Sequence, residues 1–187
     1  MSLSSYLADA ANLIRRSATP ELDAIMDAAI ITIADALKAG RPLLVCGNGG
    51  SASDAMHITG ELVGRFLKER RALNAICLSS NPSVLTAWSN DYDYATVFSR
   101  QVEAYGVADG VLLGISTSGN SANVIEALKV ARSLGMKTVG LTGEGGGKIA
   151  PLCDHLIAVP SRRTPDIQQV HLCLYHYLCE MVEARCA

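Results

Sequence analysis

Aromatic side chains are scarce in this chain of 187 residues, 5% of the total with a single Trp and two Phe. The core must therefore be aliphatic, as in parallel sheets covered by helices on both faces. Charge of either sign is also in short supply. A net −2 at pH 7 provides no basic stripe of the kind that attracts DNA or RNA, which excludes nucleic acid as a partner. No apolar run approaches the length needed to cross a bilayer, which excludes a membrane partner as well. The first residues, Met1-Ser2-Leu3-Ser4-Ser5-Tyr6, lack the charged and apolar regions of a secretory signal, so cytoplasmic residence is expected. No C-x-x-C pair occurs among Cys46, Cys77, Cys153, Cys173, Cys179 and Cys186. Without one they read as small buried hydrophobes rather than as disulfides or a zinc knuckle.

What is present is alternation. The length suits one domain with a full core, spanning 1–187. Helical periodicity marks 3–16 and 20–39, with Pro20 at the start of the second helix and Gly40 at its end. Strands are predicted at 42–47, 73–78, 110–116, 137–142 and 155–159. Helices are predicted at 51–68, 94–105, 121–134 and 165–184, a shorter one near 82–88 and a turn at 147–151. The strands are near-continuous apolar runs, as burial on both faces requires. The fold class is thus α/β, a three-layer sandwich around a five-stranded parallel sheet of flavodoxin or Rossmann type, preceded by N-terminal helices.

Two strand-to-helix turns carry the chemistry. Val111-Leu112-Leu113-Gly114-Ile115 runs into Ser116-Thr117-Ser118-Gly119-Asn120-Ser121, and an earlier strand runs into Cys46-Gly47-Asn48-Gly49-Gly50-Ser51. Hydroxyls and free backbone N–H groups at a helix N-terminus suit a phosphate. In parallel sheets, ligands bind beyond the carboxyl ends of the strands, where both turns fall. Gly47-x-Gly49-x-x-Ala52 matches the dinucleotide fingerprint formally, but the second strand ends in Cys77-Leu78-Ser79-Ser80-Asn81, without the acid that would hold a ribose. Gly147-Lys148 lacks the rest of a Walker loop. A sugar phosphate, polyhydroxylated and anchored by one anionic end, fits better.

Gly47-Asn48-Gly49-Gly50-Ser51-Ala52-x-Asp54-Ala55-x-His57-x-x-x-Glu61, then Asn90-Asp91, then Ser116-Thr117-Ser118-Gly119-Asn120-Ser121, and finally Ile167-Gln168-x-Val170-His171 with His176, span nearly the whole chain. With these motifs the chain resembles the sugar isomerase (SIS) domain and, within it, the phosphoheptose isomerases, which convert sedoheptulose 7-phosphate to a heptose 7-phosphate on the way to cell-surface polysaccharide. The resemblance implies an aldose–ketose isomerase working through an enediolate. It also implies Zn²⁺ held by His57, Glu61, Gln168 and His176 in members that bind the metal, and a homotetramer with sites near subunit interfaces. Asn48, Gly49, Gly50, Ser51, Glu61, Asn90, Asp91, Ser116, Thr117, Ser118, Ser121 and Gln168 would hold substrate.

His57 and Glu61 stand four apart and share a helix face. Ser51 and Asp54 have capping-box spacing, so that helix is expected to start at the first phosphate turn and run its inner face along the substrate. Isomerisation needs a base to move a proton between adjacent carbons and an acid to serve the oxygens. Glu61 is read as the base and His176 as its partner, on a C-terminal helix that also carries Gln168, Gln169 and His171. Gln168 and His176 are separated by ~12 Å of helical rise, so they reach one small ligand only by leaning toward it or from separate subunits. The stripe Leu3, Tyr6, Leu7, Ala10, Ala11, Ile14 precedes the α/β core and is expected to bury against another subunit.

Where many family members read Arg-Ile-Gln-Glu-x-His, this chain has Asp166-Ile167-Gln168-Gln169-Val170-His171, with Arg162 and Arg163 upstream as a substitute cation. Two other readings fit the motifs: isomerisation of another ketose phosphate, and a non-catalytic SIS-domain protein bound to the replication initiator. Retention of His57, Glu61, Gln168 and His176 favours catalysis, because a scaffold has no physical need of them.

Overall fold

The computed structural model describes residues 2–187. Two leading helices, α1 (Leu3–Ser17) and α2 (Pro20–Lys38), precede an alternation of β1 (Leu43–Gly47), α3 (Gly50–Val63), β2 (Ala75–Cys77), α4 (Pro82–Asp91), α5 (Val97–Tyr105), β3 (Val111–Ser116), α6 (Ala122–Ser133), β4 (Lys137–Thr142), β5 (His155–Ala158) and α7 (Thr164–Cys186). The strands form one parallel sheet in the order β2-β1-β3-β4-β5. From β1 the chain steps outward to β2 and then returns to the other side as β3. The turns leaving β1 and β3 therefore diverge and open a crevice at the carboxyl end of the sheet.

Alternate residues of each strand serve opposite layers. On one face Leu43, Val45, Leu113, Ile115, Val139 and Leu141 pack with Ile30, Ile33 and Leu37 of α2, Ile58 and Leu62 of α3, and Leu178 and Val182 of α7. On the other, Leu44, Cys46 and Leu112 pack with Phe98 and Val102 of α5 and with Val124 and Leu128 of α6. Helix α2 starts at Thr19, whose hydroxyl accepts from Leu22 N, with Pro20 beside it. It stops at Gly40, which takes φ +74° while Arg41 N donates back to the Ala36 carbonyl.

Three elements depart from the sequence reading. Helix α3 stops at Val63, not 68. Beyond Gly64 the N–H groups of Phe66, Leu67 and Lys68 donate to the Glu183 carboxylate at 2.6–2.8 Å, a better acceptor than the carbonyls a longer helix would offer. The predicted helix 94–105 divides into a 3₁₀ turn, Tyr94–Thr96, and α5, because Asp93 accepts from Ala95 N and starts a tighter turn. The capping box expected of Ser51 and Asp54 does not form. Gly49, at φ +55°, occupies the N-cap of α3 with no side-chain hydrogen bond.

Helix α1 is two-sided. Leu13 and Ser17 are buried against the chain's own body, with Tyr6 accepting from Gln169 Nε2 at 2.6 Å. Leu3, Leu7 and Ile14 stay exposed. Of the expected stripe, Tyr6 and Ala10 thus turn partly inward, while Leu3, Leu7, Ala11 and Ile14 remain open. The cysteines are free; Cys46 and Cys179 are buried, but Cys173 is exposed, contrary to the uniform burial expected. No helix among the described residues is long and apolar enough to cross a membrane.

Candidate active site

A pocket of about 300 Å³ opens at the crevice between β1 and β3. Asn48, Gly49, Gly50 and Ser51 line one side, Ser116, Thr117 and Ser121 the other, and Thr164 and Gln168 of α7 close it. Three helices begin here, α3 after Gly49, α6 after Ser121 and α7 after Arg163, and none of them is capped by a side-chain hydrogen bond to its first-turn backbone. The positive ends of three helix dipoles converge here, with the N–H groups of Gly49 and Gly50 free of acceptors among the described residues, so the pocket favours an anion without a single Lys or Arg in its lining. The Ser116 and Ser121 hydroxyls lie 2.9 Å apart, and Thr117 Oγ1 is 3.5 Å from Thr164 Oγ1. A small, strongly hydrogen-bonding anion suits this lining.

Two glycines here have close neighbours. A Cβ on Gly50 would collide with the Gln168 amide, and one on Gly119, at φ +65°, would run into the Gly146 carbonyl. Asn48 is braced rather than free. Its amide exchanges two 2.9 Å hydrogen bonds with Asn123 of α6, and its Oδ1 also accepts from the Tyr94 hydroxyl at 2.8 Å. Its side chain therefore ties the two anion turns together, and its share in ligand binding falls to backbone.

Sequence reasoning put further residues here that the fold does not. Asn90 and Asp91 lie exposed at the end of α4, bonded to each other at 2.9 Å, outside the pocket lining. Ser118 is exposed and its Oγ accepts from Asn120 N, so it shapes the turn and does not line the pocket. Arg162 pairs with Glu144 at 2.6 Å and Arg163 with Asp166 at 2.8 Å; neither lines the pocket as a replacement cation. Thr164 was missed, although Thr-Pro-Asp is an ordinary helix-start signal.

From this pocket α3 carries its inner face outward. His57 and Glu61, seven and eleven residues past Gly50, lie ~10 and ~16 Å along the helix. His57 Nε2 meets Glu61 Oε1 at 3.0 Å, and His57 Nδ1 meets the Tyr175 hydroxyl at 3.0 Å. The His176 ring stands edge-on to His57, centroids 5.1 Å apart, with Phe66 on its other side at 5.9 Å. Glu61 and His176 each neighbour His57, while Gln168 sits two turns back at the anion pocket. The cluster is open to solvent, the His57 side chain 43% exposed and that of Glu61 25%.

Behind it lie groups that the sequence did not single out. Burial raises the Asp54 carboxyl, against the pull of the Tyr175 hydroxyl and of His57, and its Oδ2 has no partner. Burial pushes the Tyr175 phenol up, so the hydroxyl keeps its proton. On α7, His171 is fully buried with Nε2 on the Thr142 carbonyl at 3.0 Å; burial lowers its pKa to about 4. The accepting carbonyl fixes the proton on Nε2.

The donor set suits Zn²⁺ chemically: two imidazoles, a carboxylate and an amide oxygen, with His57 Nδ1 held by an outer-shell hydroxyl. No three His, Cys, Asp or Glu side chains are closed into a ready-made cluster among the described residues.

Comparison with known proteins agrees with this fold. Residues 5–143 match the family model described as SIS domain. A phosphoheptose isomerase from Crocosphaera subtropica is 49% identical over 174 residues, covering 93% of this chain and 89% of its own. The structure of a phosphoheptose isomerase from Neisseria gonorrhoeae superposes with TM-score 0.91 at 40% identity, covering 97% of both chains. That of a phosphoheptose isomerase from Francisella tularensis gives 0.93 at 34% identity, covering 97% of this chain and 96% of the other.

Proposed function

The chain belongs to the SIS-domain family and, within it, to the phosphoheptose isomerases, and from that premise we propose how its own residues interconvert sedoheptulose 7-phosphate and D-glycero-D-manno-heptose 7-phosphate. The observation that carries the reading is the origin of α3. The helix that presents His57 and Glu61 starts inside a pocket where three uncapped helix N-termini converge. A substrate anchored there by its phosphate lays its carbon chain along α3 toward the carboxylate.

The phosphate is held by the backbone N–H groups of 49 and 50 and by Ser51, Ser116, Thr117, Ser121 and Thr164. The Glu61 carboxylate takes a proton from C1 of the ketose, and the electron pair moves into the C1–C2 bond to give an enediolate. His176 moves a proton from O1 to O2. Glu61 returns its proton to C2, leaving the aldehyde at C1. Atoms and charge balance with no co-substrate. His57, Glu61, Gln168 and His176 are the residues that would hold Zn²⁺, and the metal would polarise the substrate oxygens as a Lewis acid.

The assembly proposed is a homotetramer. The exposed Leu3, Leu7 and Ile14 edge of α1 adjoins an apolar groove of about 490 Å³ between α1, α2 and α7, with Leu172 and Tyr177 exposed nearby. This apolar surface, and the openness of the His57–Glu61 cluster, support completion of the site by a second copy. The setting proposed is heptose supply for cell-surface polysaccharide, in the cytoplasm. The test is incubation of the purified protein with sedoheptulose 7-phosphate, with and without Zn²⁺. Appearance of the aldose supports the reading, and an unchanged ketose in both arms overturns it.

A further inference from the structure

In Gly47-Asn48-Gly49-Gly50 the sole side chain is that of Asn48. Gly49, at φ +55°, and Gly50 offer the free N–H groups of the first anion turn. Glycine backbone loses more freedom on ordering than any other residue, so a loose turn would bind phosphate weakly. Asn48 is what other elements can grip, and its orientation follows from a series of forced choices. The Val124 N–H can only donate, and it donates to Asn123 Oδ1 at 3.0 Å. Asn123 Nδ2 therefore donates to Asn48 Oδ1, and Asn48 Nδ2 donates in return, both at 2.9 Å. The second lone pair of Asn48 Oδ1 accepts the Tyr94 hydroxyl at 2.8 Å, which saturates that oxygen. Tyr94 stands on the 3₁₀ turn 94–96. That turn is held in its own right, by Ala95 N donating to Asp93 at 2.7 Å and the Trp88 indole N–H donating to Thr96 Oγ1 at 2.8 Å.

We propose that Tyr94 is a positioning residue for phosphate binding: its hydroxyl completes a clasp, Tyr94–Asn48–Asn123, that fixes the Gly49–Gly50 N–H groups against the N-terminus of α6. Asn123 is buried in the first turn of α6, so the clasp joins the two turns that face each other across the pocket. Tyr94 is 50% exposed and does not line the pocket, so it acts through Asn48 and not on the ligand. Water would serve the hydroxyl of a half-exposed tyrosine equally well; the consequence of the contact lies in Asn48. Without the hydroxyl, Asn48 keeps one anchor out of two, and ligand must supply the ordering that the clasp supplies now. The loss falls on affinity and spares proton transfer, because neither Glu61 nor His176 touches the clasp. Sequence alone hides this, because Tyr94 reads there as the first residue of an ordinary helix.

This inference rests on the proposed function only in seating the substrate phosphate in this pocket, and its test reads the two separately. Tyr94→Phe should raise both the Kd for inorganic phosphate and the KM for sedoheptulose 7-phosphate about fivefold, the size of one neutral hydrogen bond. Its kcat should stay within about twofold of the parent, and its melting midpoint should not move. In ¹⁵N-labelled protein the order parameters of the Gly49 and Gly50 amides should fall. Asn48→Ala should weaken phosphate at least as much, and adding Tyr94→Phe to it should change nothing further. Parent-like phosphate binding in Tyr94→Phe overturns the clasp, as does a fall in kcat with KM unchanged. A second fivefold loss on adding Tyr94→Phe to Asn48→Ala also overturns it, by making the phenol a direct ligand contact. A parent inert toward sedoheptulose 7-phosphate, with the phosphate pattern intact, supports the clasp and counts against the proposed function. Parent turnover with Tyr94→Phe indistinguishable from it does the reverse.

Discussion

Arg70 and Glu183 meet at 3.2 Å with their side chains 2% and 1% exposed, an ion pair sealed beneath the loop that follows α3. Burial alone would raise the Glu183 carboxyl. The three backbone N–H groups of 66–68 and the guanidinium outweigh it and hold the carboxyl low. Arg70 also donates to the carbonyls of Glu61 and Gly64. The pair therefore fixes the end of the helix that carries Glu61 and the approach of Phe66 to His176.

Removing one partner strands a buried charge. Glu183→Gln and Arg70→Met are each expected to destabilise the fold by about 3–5 kcal/mol. Urea unfolding of both variants checks it. A loss below ~1 kcal/mol would mean that water reaches the pair.

The anion pocket offers a sharper separation of effects. Ser121→Ala should weaken phosphate and substrate binding about tenfold, the size of one charge-assisted hydrogen bond, with the melting midpoint unchanged. Ser118→Ala, whose hydroxyl faces its own turn, should bind nearly as the parent does. Gly50→Ala drives a methyl into Gln168 and should damage binding more than either. Calorimetric titration with inorganic phosphate ranks the three.

His171 sets an acid limit on stability. Its folded pKa, about 4, lies below the ordinary 6.5 because burial disfavours the cation. The unfolded chain therefore binds a proton that the folded chain refuses as pH falls below about 6.5. Stability is fully present above that value and is lost by up to ~1.4 kcal/mol per pH unit down to about 4. A His171→Gln variant should show a flatter dependence of its unfolding midpoint over this window. An identical slope would move the acid sensitivity to another group.

How much of this was legible beforehand follows from what periodicity and composition encode. The apolar strands, a five-stranded parallel sheet and both anion turns were readable, because Val111–Ile115 and Leu43–Cys46 read as doubly covered strands, whereas the strand order emerges only in the structure. Glu183 was not readable: a carboxylate deep in α7 terminating a helix more than a hundred residues away leaves no local signal. Asn90 and Asp91 were placed in the site by resemblance, and in this single chain α4 keeps them on the surface. Asn48 looked like a ligand and turned out to be a brace, because only the fold brings Asn123 and Tyr94 to it.

The role of Glu61 has the most direct test. The Glu61→Gln enzyme keeps the shape and loses the proton acceptor, so substrate should still bind while kcat falls about 10²–10⁴-fold. His176→Gln should be impaired as well, and the double variant should lose far less than the product of the two. The decisive measurement is deuterium uptake from D₂O into the carbon of sedoheptulose 7-phosphate that loses its proton, followed by NMR with parent and Glu61→Gln side by side. Exchange by the parent and none by the variant is expected. Exchange at the parent rate in Glu61→Gln would make Glu61 a ligand or positioning group and pass the base to His57.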